Sequence, residues 1–174
     1  MNAQINSRNS HQTGIRPVQA GDASAISRIY NYYIRETTVT FEEQETTPDL
    51  IQARINNVEA VDLPWLVAFE GEKVAGYAYA TKWKERSAYR HSAEISVYVD
   101  HRMHGNGWGT KLYQALFVEL QKRRIHLAIG GITLPNSASI ALHEKFGMKK
   151  VAHFSEVGYK FGEWRDVGYW QKIL

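Results

Sequence analysis

Residues 94–110 read Glu-Ile-Ser-Val-Tyr-Val-Asp-His-Arg-Met-His-Gly-Asn-Gly-Trp-Gly-Thr, and few folds accommodate such a run. Its first six residues alternate, Ile95, Val97 and Val99 on one face and Glu94, Ser96 and Tyr98 on the other, which is the period of a β-strand. Gly105, Gly107 and Gly109 then fall at every second position, ahead of an amphipathic helix marked by Leu112, Ala115, Leu116 and Leu120. Glycines this close together between a strand and a helix let successive backbone N–H groups converge on one point, where the positive end of the helix dipole adds to them. The stretch therefore predicts a pyrophosphate seat. Two familiar phosphate loops do not fit it: the dinucleotide fingerprint needs a glycine where Thr110 stands, and the ATP-binding loop needs Gly-Lys-Ser/Thr where the chain has Gly109-Thr110-Lys111.

Around this stretch the pattern predicts one domain over residues 15–174, preceded by a polar tail over 1–14. A short strand at Ile15 to Val18 leads to a helix over Ala23 to Ile34, N-capped by Asp22 and burying Ile26, Ile29, Tyr30 and Tyr33. Pro48 opens a second helix ending about Val58. Trp65 to Phe69 and Val74 to Thr81 form a hairpin around Glu70-Gly71-Glu72-Lys73. After the long helix come an apolar strand, Leu127 to Thr133, a helix from Ser137 to Phe146 closed by Gly147, and two late strands, Met148 to Val157 and Tyr169 to Ile173. Strands joined by a crossover helix imply an α/β fold, a mixed sheet with helices on both faces.

Taken with the strand before it, the glycine run resembles the coenzyme A loop of the GNAT acetyltransferase superfamily: Gln or Arg, two variable residues, Gly, one variable residue, then Gly or Ala. His104, Gly107 and Gly109 occupy those places, histidine departing from the first. The resemblance implies a GNAT fold with a splayed central sheet, the parting strands being 94–99 and 127–133. It implies acetyl-CoA as co-substrate in that gap, with His104, Gly105, Asn106, Gly107, Trp108, Gly109 and Thr110 around the pyrophosphate. Backbone N–H groups near Tyr98 and Val99, with Val97 beside them, would bond the thioester carbonyl.

A closer resemblance, over almost the whole chain from Ile15 onward, is to the phosphinothricin and methionine sulfoximine N-acetyltransferases. Ala93-Glu94 followed by Ser96-Val97-Tyr98-Val99 carries it, as do Tyr30-Asn31, Trp83-Lys84 with Arg86 and Tyr89, and Lys160-Phe161-Gly162 with Trp164, Asp166, Val167 and Trp170. It implies transfer of an acetyl group to the primary amine of a small amino-acid analogue, with Glu94 as the base that takes the amine's proton. By position alone Glu94 is equally an exposed strand residue paired with Lys84 or Arg86. In many GNAT enzymes the asparagine at Asn136 bonds the pantetheine arm and a tyrosine seven residues on protonates the departing thiolate. His143 stands in the tyrosine's place, and imidazole titrates near neutrality. Read locally, Asn136 is a helix cap and His143 a packing residue beside Phe146.

The same resemblance sets the acceptor's polar groups against Lys84, Glu85 and Arg86 and against Glu94, Ile95 and Ser96, with Phe41 as an apolar wall. By spacing alone, Lys82 to Arg90 is a solvated loop of mixed charge. A homodimer, in which the last strands reach the neighbouring subunit, is a further implication. Two other functions remain open. One keeps the chemistry and changes the acceptor to an ordinary amino acid, a protein N-terminus or lysine; the other is a non-catalytic acetyl-CoA-binding module, whose output Glu94→Gln would leave intact.

Composition excludes more than it selects. Without cysteine there is no disulfide, thiolate metal site or cysteine nucleophile, which suits a cytoplasmic location. A net charge of +3, with its only tight basic run ending a helix, speaks against nucleic acid. No apolar run reaches the length of a membrane span, and the first fourteen residues lack the apolar centre of a signal peptide. The histidines lack a metal-ligand spacing, so no metal is expected.

Overall fold

Helical periodicity and small strand residues together decide how the layers meet. α3 (Trp108–Lys122) turns Leu112, Leu116 and Leu120 to the sheet, all fully buried, each contributing about 1.5–3 kcal/mol. They lie over Gly76, Ala78 and Ala80 of β3 (Lys73–Lys82), whose small side chains let the helix approach. A Cβ at Gly76 would stand 2.7 Å from Tyr98 O and 3.4 Å from Leu112 Cδ1, so only glycine fits there. The alternate residues of β3, Tyr77 and Tyr79, face the other way. They stack with Trp65 of β2 (Trp65–Glu70), and Tyr79 lies 4.2 Å from its ring. Tyr98 joins them, and α1 (Ala23–Glu36) covers the group with Tyr30 and Tyr33, edge-on to Tyr98 at 5.0 and 5.2 Å.

This computed structural model describes residues 12–174. One sheet runs through it in the order β1-β2-β3-β4-β5-β7-β6, completed by β1 (Thr13–Pro17), β4 (Ser92–Val99), β5 (Leu127–Thr133), β6 (Lys149–Lys160) and β7 (Glu163–Ile173). α2 (Pro48–Glu59) packs on α1, while α3 and α4 (Ser137–Lys145) cover the opposite face. Every neighbouring pair is antiparallel except β4 and β5, which α3 bridges, as a parallel connection requires.

That parallel pair is short. Ser92, Ala93 and Glu94 pair with Leu127, Ala128 and Ile129, and beyond them β4 and β5 diverge, leaving a fork in mid-sheet. The expected GNAT architecture, a splayed mixed sheet with helices on both faces, is thus present.

Three expectations need correction. Of the tail expected over 1–14, residues 1–11 lie outside the described residues, and Thr13 and Gly14 open β1 instead. Asp22 occupies the N-cap position of α1 without capping it. A short turn, Ala20–Asp22, precedes the helix, and the carboxylate accepts both guanidinium N–H groups of Arg16, at 2.6 and 2.8 Å, and the Gln19 N–H at 2.7 Å. The last two strands extend well beyond Val157 and start well before Tyr169, as one long hairpin closed by Phe161 and Gly162 (φ 55° and 79°). Two successive positive φ angles are the hairpin turn that matches strand twist. The pattern hid it because both faces of its outer half are exposed.

Candidate active site

The fork is where the chain's backbone groups are left over. A bond from Asp100 N–H to Ala75 O (2.8 Å) fixes the phase of the antiparallel β3·β4 ladder. With Tyr98 opposite Tyr77 and Ser96 opposite Tyr79, the alternation points the N–H groups of Ser96 and Tyr98 into β3 and those of Val97 and Val99 to the open edge. The expectation of a free N–H near Tyr98 therefore shifts to Val97, with Val99 retained.

Beside this edge lies a cavity of about 590 Å³. Val97, Val99, His104, Gly105, Gly107, Trp108, Gly109, Thr110 and Asn136 line it as anticipated; Tyr98 and Asn106 do not. Tyr98 belongs to the aromatic cluster on the other face, and Asn106 points to solvent. Gly105 and Gly107 have φ of +82° and +74°, with open space where a Cβ would project. The first-turn N–H groups of α3 have no helical carbonyl to meet, so they open on the same space. The loop is braced from α1: Tyr33 OH donates to Val99 O (2.6 Å), and His104 Nε2 lies 2.9 Å from that hydroxyl and 3.2 Å from the same carbonyl. The phenol uses its one proton on Val99, so His104 Nε2–H is the donor in this group. Burial pushes the Tyr33 phenol up to about 12, which keeps it a neutral donor.

Asn136 serves in two ways. Its Oδ1 accepts the Ser139 N–H at 3.0 Å, capping α4, and the residue also lines the cavity. His143 is brought elsewhere. It is 3% exposed, donates from Nδ1 to Ser139 O (2.7 Å) and accepts at Nε2 from Tyr113 OH (3.0 Å). A Cβ at Gly130 would overlap its ring, so the imidazole fills the gap between α4 and β5. Burial lowers its pKa, favouring the neutral ring that these two bonds require. With both nitrogens engaged and no face on the cavity, its geometry is that of the packing residue.

Glu94 stands on the opposite face, at the fork itself. It pairs with Thr81 in β3 and Ile129 in β5, the last paired step. Its carboxylate leans past that step: a Cβ on Gly131 would sit 3.4 Å from Glu94 Oε1 and 3.1 Å from the Tyr169 ring. Among the described residues no cation lies within ion-pairing distance, so the pair with Lys84 or Arg86 does not form. Burial raises the Glu94 pKa, and the charge of Lys84 opposes the rise from farther away. Glu94 lines neither the large cavity nor the neighbouring one of about 370 Å³, bounded by Thr37, Thr38, Thr133 and Phe161, which meets the first at Val39 and Asn136.

The other anticipated acceptor residues divide. Ser96 shares the Glu94 face, beside Tyr79. Ile95, 3% exposed, points into the core under α3, as the two-residue period demands, and cannot touch what Glu94 touches. Lys84 lies over the Trp83 ring at 4.7 Å; Glu85 pairs with Lys82 at 3.7 Å, and Arg86 is exposed. None of Phe41, Lys84, Glu85, Arg86 and Ser96 lines either cavity. Phe41 packs on Gly158 of β6, where a Cβ would overlap its ring. Tyr33, Val39, Ser139, Leu142 and Lys145 line the large cavity without having been anticipated. Ser139 and Leu142 fall three and six residues after Asn136, so helical spacing could have found them; Tyr33 and Val39 carry no local signal. Among the described residues no group of three or more His, Asp or Glu side chains is arranged to hold a metal.

The chain is similar to known proteins. The acetyltransferase (GNAT) domain family matches residues 15–168. A phosphinothricin N-acetyltransferase of Streptomyces viridochromogenes is 40% identical over 160 residues, covering 91% of this chain and 86% of that protein. An L-methionine sulfoximine/L-methionine sulfone acetyltransferase of Salmonella typhimurium is 33% identical over 160 residues, covering 92% and 94%. The crystal structure of a GNAT superfamily phosphinothricin acetyltransferase from Sinorhizobium meliloti in complex with AcCoA superposes with a TM-score of 0.90 at 29% identity, covering 93% and 88%. A forked sheet, a glycine cradle at its open edge and a family match across most of the chain lead to one conclusion: this chain belongs to the GNAT acetyltransferases.

Proposed function

We propose that this protein transfers an acetyl group from acetyl-CoA to the primary amine of a small amino-acid analogue of the phosphinothricin, methionine sulfoximine or methionine sulfone type. The observation that carries the reading is the fork: free N–H groups of Val97 and Val99 beside the glycine cradle on one side, and the half-buried carboxylate of Glu94 on the other. The residues fit the donor. Gly105 and Gly107 leave room where side chains would fill the cradle, and the cavity has the volume of a cofactor cleft.

When bound, acetyl-CoA supplies an acyl carbon held as a thioester. The N–H groups of Val97 and Val99 stabilise negative charge on its carbonyl oxygen, and the α3 N-terminus with the glycine loop holds its phosphates. The free amide N–H₂ of Asn136, whose oxygen caps α4, is a donor for the pantetheine arm. Glu94 takes the proton of the ammonium, directly or through a water, so that the amine attacks as a free base. Holding both reactants at one fork supplies much of the remaining acceleration. As the amide bond forms and the C–S bond breaks, the second proton shed by the nitrogen neutralises the coenzyme A thiolate, which leaves as the thiol; His143 orients α4 and takes no part in proton transfer.

A homodimer in the cytoplasm belongs to the same proposal. The outer hairpin exposes Val157, Trp164 and Phe161 at 57%, 60% and 58%, an apolar surface that a second copy would cover; a chain without cysteine suits a reducing compartment. Thiol release from acetyl-CoA, measured with phosphinothricin, methionine sulfoximine, methionine sulfone and the free amino acids, tests the activity. Turnover confined to bulky protein acceptors, or none with any amine, would reject it.

A further inference from the structure

Lys160, the last residue of β6, is 2% exposed, and no carboxylate lies within ion-pairing distance of it among the described residues. Its Nζ donates instead to Thr40 O, at 2.7 Å, across 120 residues of sequence, and lies 5.0 Å from the Phe161 ring centroid. Burial disfavours the ammonium, and Glu43 and Glu42 oppose this from beyond ion-pairing distance, so the contact persists only while the segment carrying Thr40 stays closed over it.

That segment, residues 37–47, is tied down residue by residue. Thr40 Oγ1 meets Tyr30 OH at 2.8 Å and accepts the Glu42 N–H at 3.2 Å. Tyr30 OH also donates to Glu42 Oε1 at 2.9 Å, and Arg54 grips both Glu42 oxygens at 2.8 and 2.9 Å. Thr46 N–H donates to Asn31 Oδ1 at 2.9 Å. Between these ties Phe41 lays its ring on Gly158, two residues before Lys160. Adjacent residues of the segment, Thr40 and Phe41, thus dock on alternate residues of β6. The far side of the segment faces the tyrosine cluster: Tyr30, which holds Thr40 and Glu42, meets the Tyr98 ring edge-on at 5.0 Å, and Tyr98 lies on the same face of β4 as Glu94. The segment therefore packs beside the face of β4 that carries Glu94, and among the described residues Lys160 makes the one side-chain hydrogen bond between it and the late hairpin.

We propose that Lys160 is a positioning residue for the acceptor: from the end of β6 it clamps residues 40–46, the part of the segment that lines neither cavity, beside the Glu94 face, so amine recognition depends on a lysine that touches neither substrate. This rests on the acetyl-transfer reading for its kinetic arm alone. K160M keeps the stem and removes the donor. It should raise the KM for the amine about tenfold, the worth of one charge-assisted hydrogen bond, while the KM for acetyl-CoA and kcat change less than about twofold. In the substrate-free protein, amide hydrogen exchange over residues 38–43 should quicken by a similar factor, with β4 and α3 unchanged. Equal rises in both KM values, or unchanged exchange over 38–43, would overturn the clamp. If K160M does not fold, the wild type decides: amides 38–43 exchanging at the rate of an open loop reject the clamp, and exchange as slow as at the end of β6 supports it. Because exchange is read without substrates, absence of acetylation would reject the function and leave the clamp to be judged by itself.

Discussion

The two sides of β4 are made of different material. Towards α3 and α4, the candidate donor site is main chain: N–H groups of Val97 and Val99 freed by the fork, two glycines with positive φ, and a helix N-terminus. Towards α1, the candidate acceptor site is side chain: Glu94, Ser96, Tyr79, Phe41 and the clamp below them, drawn from β3, β4, β6 and an irregular segment. Backbone geometry tolerates few substitutions at the glycines and is indifferent elsewhere. Side-chain walls can be re-cut one residue at a time, which fits relatives that are named for acetyl transfer to different acceptors.

The largest break in this comparison should come from Glu94→Gln. Loss of a general base lowers kcat/KM by about 10²–10⁴-fold, and here the loss should be greatest at low pH, where little amine is already neutral. A pH–rate profile parallel to that of the wild type would remove Glu94 from the role. Next, Gly107→Val forces a β-branched residue to φ +74° and puts its side chain into the cradle; acetyl-CoA affinity should fall about a hundredfold with the amine KM little changed, read by calorimetry and kinetics. A variant with normal affinity would take the anion seat away from this loop.

His143→Asn separates packing from acid catalysis. Leaving Tyr113 or Ser139 O without its partner should cost about 1–3 kcal/mol in chemical denaturation. The alkaline limb of the rate profile should stay where it is; a shift of that limb would restore His143 as the proton donor. Lys84→Met gives the smallest and sharpest signal. Burial raises the Glu94 pKa and Lys84 opposes it, so removing the lysine lets it rise further. A raised carboxyl pKa in the working enzyme means the base is lost earlier as pH falls, and the acid limb should move to higher pH. A limb that moves down, or not at all, breaks the electrostatic link between Lys84 and Glu94.

Legibility followed the same divide. The candidate anion seat was legible as a glycine cradle because Gly105, Gly107 and Gly109 sit in one uninterrupted strand–loop–helix, and of Val97, Tyr98 and Val99 the ladder turns the N–H groups of Val97 and Val99 to the open edge. On the candidate acceptor side the sequence could place only Glu94 and Ser96 on one face, because their strand period is local. Ile95 falls on the wrong face by that same period. The displacement of Glu85 and Arg86 from the cavities could not be seen, since an exposed loop carries no periodicity to fix its direction. Tyr33 reaches Val99 across 66 residues and Lys160 reaches Thr40 across 120; neither spacing means anything before the sheet is assembled.

By itself the sequence determined where the chain turns, which faces are apolar and where backbone donors cluster, because glycine conformation and two- or 3.6-residue periods act over a few residues. Only the tertiary structure decided that β4 and β5 part after Glu94, that His143 is enclosed between Tyr113 and Ser139, and that a lysine on the outer hairpin holds the loop opposite. Those outcomes depend on which surfaces meet, and burial gives a polar group its partner and its pKa only after distant segments have closed around it.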